Sequence, residues 1–478
     1  MGSGGAETGD LTSGPITPAL LLVAAPLVVQ NVVHVLNQLV DTLVLGRVGE
    51  PAVAAVGLTF PILAALFGVV TLAAVGTQIA VAQRVGASDP AGARQAVFNG
   101  AVLAVGLGAV LAVTVAITAE SLVGLLGAGE DVGPLAVRYL LAILPFFVFG
   151  TLSDTIENGF VGWGDSRAAL RINLVIVGTN VALSPVLVLG PGPVPALGVL
   201  GAGLASGIGY TAGCFAALAL ARGDRGSFRF TAKSARLSAT DVRTISRLGS
   251  PIAGQHLAAQ SVRVAVVGIV ATVGGAAGLA AYTVGARVAS VAFIPATGFQ
   301  QAAQSMVGQN VGAGREDRAD RTIRVGVAVV GSGLAVVGTV QWLVPELLAG
   351  LFLPTATATG FDLTVDYLRI LAYGYPAIGI SALVLAGFNG AGHTSVSLLA
   401  DVGKHWGIRL PIALLALPST AAVSVAGLSF APGLDLGVLA IFWAVTASNV
   451  LVAVGVGVAY LLVRDGMLAD ATGASAGS

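Results

Sequence analysis

Charged residues are scarce in this sequence. Asp, Glu, Lys and Arg make up 10% of its 478 residues, and 56% are hydrophobic, whereas soluble proteins carry about 25% charge. This composition excludes a soluble domain and predicts an all-α polytopic membrane protein. The formal net charge is zero and the only lysines are Lys233 and Lys404, so no basic surface predicts a nucleic-acid partner.

Cysteine and catalytic motifs are also nearly absent. The single cysteine, Cys214, excludes an intrachain disulfide framework. The sequence holds no Walker loop, HExxH motif or CxxC pair, which argues against an enzyme, an ATP-driven pump or a bound cofactor. The N-terminus lacks the basic region of a signal peptide, so we expect the first hydrophobic segment to be retained.

Long apolar runs dominate the chain. A run of about 20 apolar residues spans a bilayer as a helix, and the sequence predicts twelve such spans. The longest polar segment, 222–247, divides them six and six. We therefore predict an N-terminal tail (1–16), an N-lobe (17–221), a cytoplasmic linker (222–248), a C-lobe (249–464) and a C-terminal tail (465–478). The predicted spans are 17–41, 52–80, 95–119, 134–160, 169–190, 197–221, 249–272, 278–307, 322–350, 363–388, 397–419 and 434–463.

Basic residues are distributed unequally between the two sides of these spans. Eighteen fall after even-numbered spans and three (Arg47, Arg138 and Arg369) on the other side. Because cytoplasmic loops are enriched in Lys and Arg, the pattern predicts a multi-pass protein of the cell membrane with both termini in the cytoplasm.

Two motifs recur in the two halves. QRVGASDPAGARQA (83–96) is similar to QNVGAGREDRADRT (309–322), and each follows the second span of its half. GFVGWG (159–164) is similar to GFNGAG (387–392), and each follows the fourth span. The order and spacing predict duplicated six-helix lobes related by an axis along the membrane normal, with a substrate path between them.

The first span carries a polar stripe. Gln30, His34, Asn37 and Asp41 fall within about 60° on a helix that turns about 100° per residue. An ionisable residue inside a membrane helix must face protein or water, so we expect the stripe to line a cavity, with Asp41 as the coupling carboxylate. Pro26 lies one turn before the stripe and predicts a hinge, because it removes a helical hydrogen bond.

Other spans carry polar groups that could share this cavity. Such polar groups also form hydrogen bonds between helices, and the acids could instead pair with Arg167 or Arg171. Both the cavity-lining and the structural interpretation therefore stay open. In the C-lobe no acid occurs between Asp241 and Glu316. The candidate residues are Asp154, Glu157 and Asn158 in the fourth span, Asn173, Asn180 and Ser184 in the fifth, and Arg263, Tyr282 and Arg287 in the seventh and eighth.

The ordered motifs resemble those of the multidrug and toxic compound extrusion (MATE) family. The resemblance covers roughly residues 15–464. It implies a V-shaped pair of six-helix lobes around a central cavity that alternates access and expels organic cations in exchange for H⁺ or Na⁺. The motifs are VDTLVLGRVG (40–49), AVAAVGL (52–58), the two repeats above, GFVGWGDSRAALRIN (159–173), NVALSP (180–185) and GFNGAGHT (387–394).

The acids of the first half resemble the DinF-like branch of that family. In that branch an Asp in span 1 works with an Asn and an Asp four residues apart in span 5. Asp41 and Asn180 match this pattern, and Ser184 replaces the second acid. The resemblance thus implies a possible Na⁺ site at Asp41 and Asn180 that lacks one charge, which favours H⁺. Glu157 is a candidate for the missing carboxylate.

Other functions stay open. Arg263 and Arg287 could hold the phosphates of a lipid-linked precursor in a flippase of the same superfamily, or the anionic group of an exported metabolite. A non-transporting scaffold would not explain the polar stripes. The expected partners are a small organic molecule and the lipid bilayer, and we expect a monomer.

Overall fold

The computed structural model describes residues 11–126, 129–223, 228–353, 357–425 and 428–476. It is almost entirely helical, with a 3-10 turn at Ala232–Ser234 and a π-helical segment at Gly403–Arg409. Two short strands, β1 (Val423–Val425) and β2 (Leu428–Phe430), form an antiparallel hairpin. The helices are α1 (Ile16–Gly46), α2 (Glu50–Gly86), α3 (Pro90–Leu125), α4 (Gly133–Trp163), α5 (Ser166–Leu189), α6 (Val199–Arg222), α7 (Ala239–Gly312), α8 (Glu316–Leu343), α9 (Pro345–Phe352), α10 (Ala358–Gly390), α11 (Thr394–Val402), α12 (Leu410–Leu415) and α13 (Gly437–Ala476).

Ten helical stretches of the described chain are long and apolar enough to cross a membrane. They correspond to twelve crossings for two reasons. The 74-residue α7 reverses at Gly275, whose φ of 57° interrupts the helix, and so contains two spans, α7a (239–274) and α7b (275–312). In addition, α11, the π-helical segment and α12 follow one another without a break and form one span. The all-α fold with twelve spans is confirmed.

Local sequence signals explain where several helices begin and end. Asp89 and Asp165 cap α3 and α5 by accepting hydrogen bonds from backbone N–H groups three residues ahead. Gly164 ends α4 with a φ of 94°, in the left-handed region that favours glycine. These signals place the helix ends close to the predicted ones, although most helices extend further than the apolar runs.

The repeated motifs lie together where the two lobes meet. Gln83 Nε2 donates to the Gly390 carbonyl (3.0 Å) and Gln309 Nε2 donates to the Gly162 carbonyl (3.0 Å). Gln78 Nε2 also donates to Ser305 Oγ of the other lobe over 2.9 Å. We call this region, residues 78–86 of α2 with 301–312 of α7b, the closed end.

Segments predicted as tail and linker also pack at the closed end. Leu11 is 5% exposed, and its N–H donates to Gln309 Oε1. α7 begins at Ala239, inside the predicted linker 222–248. α13 continues to Ala476, inside the predicted tail 465–478. Residues 1–10, 224–227 and 477–478 of these segments lie outside the described residues.

The lobes separate at the opposite end, which we call the open end. Val28 of α1 packs against Gly298 of α7b, but further along the same face of α1 the side chains of Leu36, Leu39 and Leu43 are exposed. These exposed side chains beyond the Val28–Gly298 contact indicate that the two lobes part there, and we call the space between them the cleft.

Candidate functional site

The polar stripe of α1 packs against α4 and α5. Near the closed end, Gln30 Nε2 donates to Glu157 Oε1 over 2.5 Å, and Glu157 is 7% exposed. One turn earlier on α4, Asp154 accepts from Asn158 Nδ2 over 3.0 Å. Beside the first turns of the stripe, α4 therefore holds two acids whose hydrogen-bond partners are neutral amides.

The middle of the stripe pairs with α5. His34 Nε2 lies 3.0 Å from Asn173 Nδ2, and Asn173 is buried. His34 is itself exposed. In this orientation of the Asn173 amide, His34 Nε2 accepts the hydrogen bond.

Asp41 lies near the open end, five residues before α1 ends at Gly46. Asn37 Nδ2 donates to Asp41 Oδ2 over 3.4 Å. With the Asn180 amide oriented to satisfy both of its ends, its nitrogen donates to Asp41 Oδ1 (2.9 Å) and its oxygen accepts from Ser206 Oγ (2.8 Å). The hydroxyl of the buried Ser184 is also beside Asp41.

These contacts form two separate acidic sites rather than one. Gln30 and Asp41 are eleven residues apart on α1, which is about 16 Å along a helix axis. Glu157 contacts Gln30, whereas Ser184 lies beside Asp41. Glu157 therefore does not occupy the position beside Asp41 that the missing acid would have.

Within the described residues, neither Asp41, Asp154 nor Glu157 forms a salt bridge, and the alternative pairing with Arg167 or Arg171 does not occur. In the same part of the chain no group of three His, Cys, Asp or Glu could hold a metal ion. Asp41 thus offers one carboxylate among neutral amide and hydroxyl groups.

Pro26 lies within α1, which is continuous from Ile16 to Gly46. The helix has no break at this position in the present conformation, so the hinge stays a prediction.

The C-lobe side of the cleft is basic. Arg263 of α7a and Arg287 of α7b are exposed. Neither guanidinium has a hydrogen-bond or ion-pair partner in the described part of the chain. These two candidates therefore lie in the other lobe from the acids.

A partly buried charged cluster in the C-lobe was not among the residues that the sequence singled out. Lys404 Nζ lies 3.1 Å from Asp401 Oδ1, and Gln255 of α7a donates to the second oxygen of Asp401. Arg409 donates to Ser448 Oγ (3.0 Å) on α13. Lys404 and Arg409 are two of the eighteen basic residues that the sequence analysis assigned to the cytoplasmic side. They belong to the π-helical segment instead. Such π-bulges often occur at functional sites, but this one has no local sequence signal.

Tyr282 lies in an aromatic stack rather than alone in the cleft. Its ring stacks on Tyr367 with centroids 5.7 Å apart, and Tyr367 stacks on Phe442 at 4.1 Å. Tyr367 is 2% exposed and Tyr375 is fully buried, so these two rings serve packing and do not present a face to a substrate.

Comparison with known proteins agrees with this architecture. The MatE family model matches residues 26–186 and 251–415. The probable multidrug resistance protein NorM of Pseudomonas putida is 30% identical over 411 residues, which cover 83% of this chain and 87% of the relative.

Two solved structures share the fold. A transporter of the MOP superfamily from Pyrococcus furiosus, described as having a binding pocket of reverse polarity that suggests a different function, superposes with a TM-score of 0.86. An outward-facing multidrug resistance MATE family transporter also gives 0.86. Each is 21% identical and covers 97% of this chain and 99% of its own. Since the family model matches both halves of the sequence, the chain belongs to the MatE family of multidrug and toxic compound extrusion transporters.

Proposed function

We propose that this protein is a cation-coupled antiporter that exports organic, cationic or amphipathic compounds by alternating access. Asp41 is the coupling carboxylate, and H⁺ is favoured over Na⁺ because Ser184 contributes no second charge. The observation that carries the proposal is that Asp41 is held by neutral groups, Asn37 and Asn180. Its charge can therefore change without breaking a salt bridge.

The coupling is conformational. Neutralising Asp41 changes how α1 packs against α5, and the prolyl hinge at Pro26 lets the outer part of α1 move. An ion and a substrate that bias the same two-state helix are coupled even when they touch different atoms. We place the protein in the cell membrane as a monomer with cytoplasmic termini, lobes at 17–221 and 249–464, and a DinF-like arrangement of acids.

The test is transport by Asp41→Asn in proteoliposomes with a pH gradient or a Na⁺ gradient imposed separately. We expect the variant to bind substrate but to lose gradient-driven transport, and the wild type to respond to the pH gradient. Asp362→Asn is the matched control, because Asp362 is an exposed acid in the first turns of α10. Gradient-driven transport retained by Asp41→Asn would reject the coupling role.

A second candidate function is the transport of an anionic molecule, such as a lipid-linked precursor or an anionic metabolite. The guanidiniums of Arg263 and Arg287, which have no partner among the described residues, favour it. Transport that depends on Arg287 and is indifferent to Asp41→Asn would favour this candidate.

A further inference from the structure

We propose that the C-lobe wall of the cleft binds an anionic oxygen group, a carboxylate or a phosphate, so that the substrate is a zwitterionic amphiphile. Arg263 and Arg287 are the residues that hold this group. The inference rests on the proposed export function and specifies its substrate class.

Helical periodicity places both arginines on helix faces turned toward the other lobe. On α7a, the backbone of Gly249 is in direct contact with Leu72 of α2, and His256 packs beside Gly68 of α2. Arg263 follows His256 by seven residues, which returns to within about 20° of the same face of the helix. It therefore lies on the side turned toward the N-lobe, where the lobes have begun to separate.

On α7b, Arg287 is related in the same way to a contact between the lobes. Gly298 packs against Val28 of α1, and Arg287 precedes Gly298 by eleven residues, again within about 20° of one face. Because α7b runs toward the closed end, Arg287 is on the open-end side of that contact, on the cleft.

The two guanidiniums are also at one depth. Each is twelve residues from the reversal at Gly275, which is about 18 Å along its own helix. Two arginines at the same depth on adjacent helices, both without a protein partner in the described chain, would be costly against lipid. An anion in the cleft would supply the missing charge, and two guanidiniums suit the several oxygens of a carboxylate or phosphate.

The surrounding C-lobe does not neutralise these charges. Asp401 is already engaged by Lys404 and Gln255. Arg409 is held by the neutral Ser448 and lies in electrostatic range of Arg263. α7 has no acid after Asp241. The wall is therefore net positive.

The opposite wall has the reverse character. Asp41, Asp154 and Glu157 are in the N-lobe, and within the described residues no salt bridge joins them to the C-lobe arginines. A molecule with a cationic end toward α1 and an anionic end toward α7 satisfies both walls. A purely cationic molecule leaves Arg263 and Arg287 without a partner.

The experiment compares two dyes that differ by one charge. The probes are a rhodamine methyl ester, which is cationic, and the free acid of the same dye, which is zwitterionic near neutral pH. Binding to the purified full-length protein in neutral detergent is measured by fluorescence polarisation. We expect the double variant Arg263→Gln/Arg287→Gln to weaken binding of the free acid by about tenfold or more, because hydrogen bonds to charged groups are lost. Binding of the ester should change less than twofold, that is by less than about 0.4 kcal/mol.

Two control variants distinguish the loss of the two guanidiniums from a general loss of structure. Arg263→Lys/Arg287→Lys keeps the charge and should retain most of the preference for the free acid. Arg369→Gln removes an arginine that pairs with Glu346 and should leave both dyes unaffected. Equal weakening of both dyes, or no weakening of either, would overturn the proposal.

A third arm identifies the source of the anionic group. In nanodiscs, phosphatidylglycerol is added as a competitor of the free acid. Competition in the wild type, but not in the double glutamine variant, assigns the site to a lipid phosphate. An absence of competition assigns it to the substrate's own carboxylate. Since the assay uses no ion gradient, a failure of coupling through Asp41 would leave these results unchanged, so the two proposals can fail separately.

Discussion

Gln83 of the N-lobe donates its side-chain amide to the Gly390 carbonyl of the C-lobe over 3.0 Å. The related Gln309 and Gly162 form the same hydrogen bond in the opposite direction. The two repeated motifs of the sequence thus hold each other at the closed end, and each lobe provides one donor and one acceptor. An interface built this way can release as a unit when the transporter changes conformation.

Glycines allow the two lobes to approach each other closely at this interface. An alanine substitution there should therefore separate the lobes. A Cβ at Gly312 would lie 1.9 Å from the Gln83 carbonyl oxygen, and one at Gly86 would lie 1.9 Å from that of Gln309. Because these neighbours are backbone atoms, the helices must separate; overpacking typically costs about 1–3 kcal/mol. We expect Gly312→Ala to speed thiol labelling of Ser305→Cys, in a Cys214→Ala background, by on the order of tenfold.

Gly106→Ala is the control for this experiment, because a Cβ at Gly106 meets nothing within 4 Å. Ser305 is fully buried in the present conformation, so its labelling reports opening of the closed end. Equal labelling rates in Gly312→Ala and the parent protein would contradict the prediction.

Glu157, the acid that pairs with Gln30, offers a second prediction, on stability. Glu157→Ala leaves Gln30 without its acceptor, and an unsatisfied buried polar group costs about 1–3 kcal/mol. Glu157→Gln keeps an acceptor of the same shape. We expect the alanine variant to unfold at a temperature lower by several degrees, and the glutamine variant to stay closer to the wild type, in a thermal scan of the purified protein.

Glu120→Ala serves as the control here, since Glu120 is an exposed acid near the end of α3. If Glu157→Ala and Glu157→Gln were equally stable, the hydrogen bond to Gln30 would have no measurable role and Glu157 would not fix α1 against α4.

The membrane helices could be predicted from sequence because each is a local apolar run. The two lobes could be predicted because a duplication leaves paired motifs such as those at Gln83 and Gln309. The direction of the α1 stripe also followed from helical periodicity, which puts Gln30, His34 and Asp41 on one face. These properties depend on neighbours within a few turns.

The partners of those residues could not be predicted, because they depend on contacts between distant segments. Gln255 and Asp401 are 146 residues apart, and nothing in either local sequence indicates that they meet. The positions of the partly buried Lys404 and Arg409 likewise depend on a π-helical segment that periodicity does not reveal. Span 10 shows the same limit, since Tyr367 is buried whereas Tyr373 is exposed on the same helix.

The start of α7 provides a third prediction. Asp241 accepts from Arg84 Nη2 (2.5 Å) and from Asn99 Nδ2 (3.2 Å), so the first turn of a C-lobe helix is fixed to the N-lobe. Removing the carboxylate should cost about 1.5–3 kcal/mol, the range for hydrogen bonds to a charged group. We expect Asp241→Ala to speed tryptic cleavage at the exposed Lys233 and Arg236.

Asp317→Ala separates this ion pair from a general helix effect. Asp317 is also an acid in the first turn of a helix, α8, but it is exposed. Both variants lose a favourable interaction with the helix dipole, so equally fast cleavage in the two would show that the contact with Arg84 does not matter.

The last prediction concerns closure of the cleft. Val28 packs on Gly298, and because α1 and α7b run in opposite directions, Leu39 and Arg287 are each eleven residues further along toward the open end, on the same two faces. Leu39 is 48% exposed here.

Closing the cleft along these faces would bring Leu39 and Arg287 within the 7 Å that a disulfide requires. We expect the pair Leu39→Cys/Arg287→Cys, in a Cys214→Ala background, to cross-link in vesicles only when a pH gradient and the rhodamine methyl ester, whose binding should not depend on Arg287, are both present. Asn31→Cys/Thr297→Cys is the reference pair, because Asn31 already donates to Thr297 over 3.1 Å, and it should cross-link without either. If the first pair stayed reduced throughout turnover while the reference pair formed its disulfide, α1 would not close against α7b. The proposed movement of α1 would then be wrong.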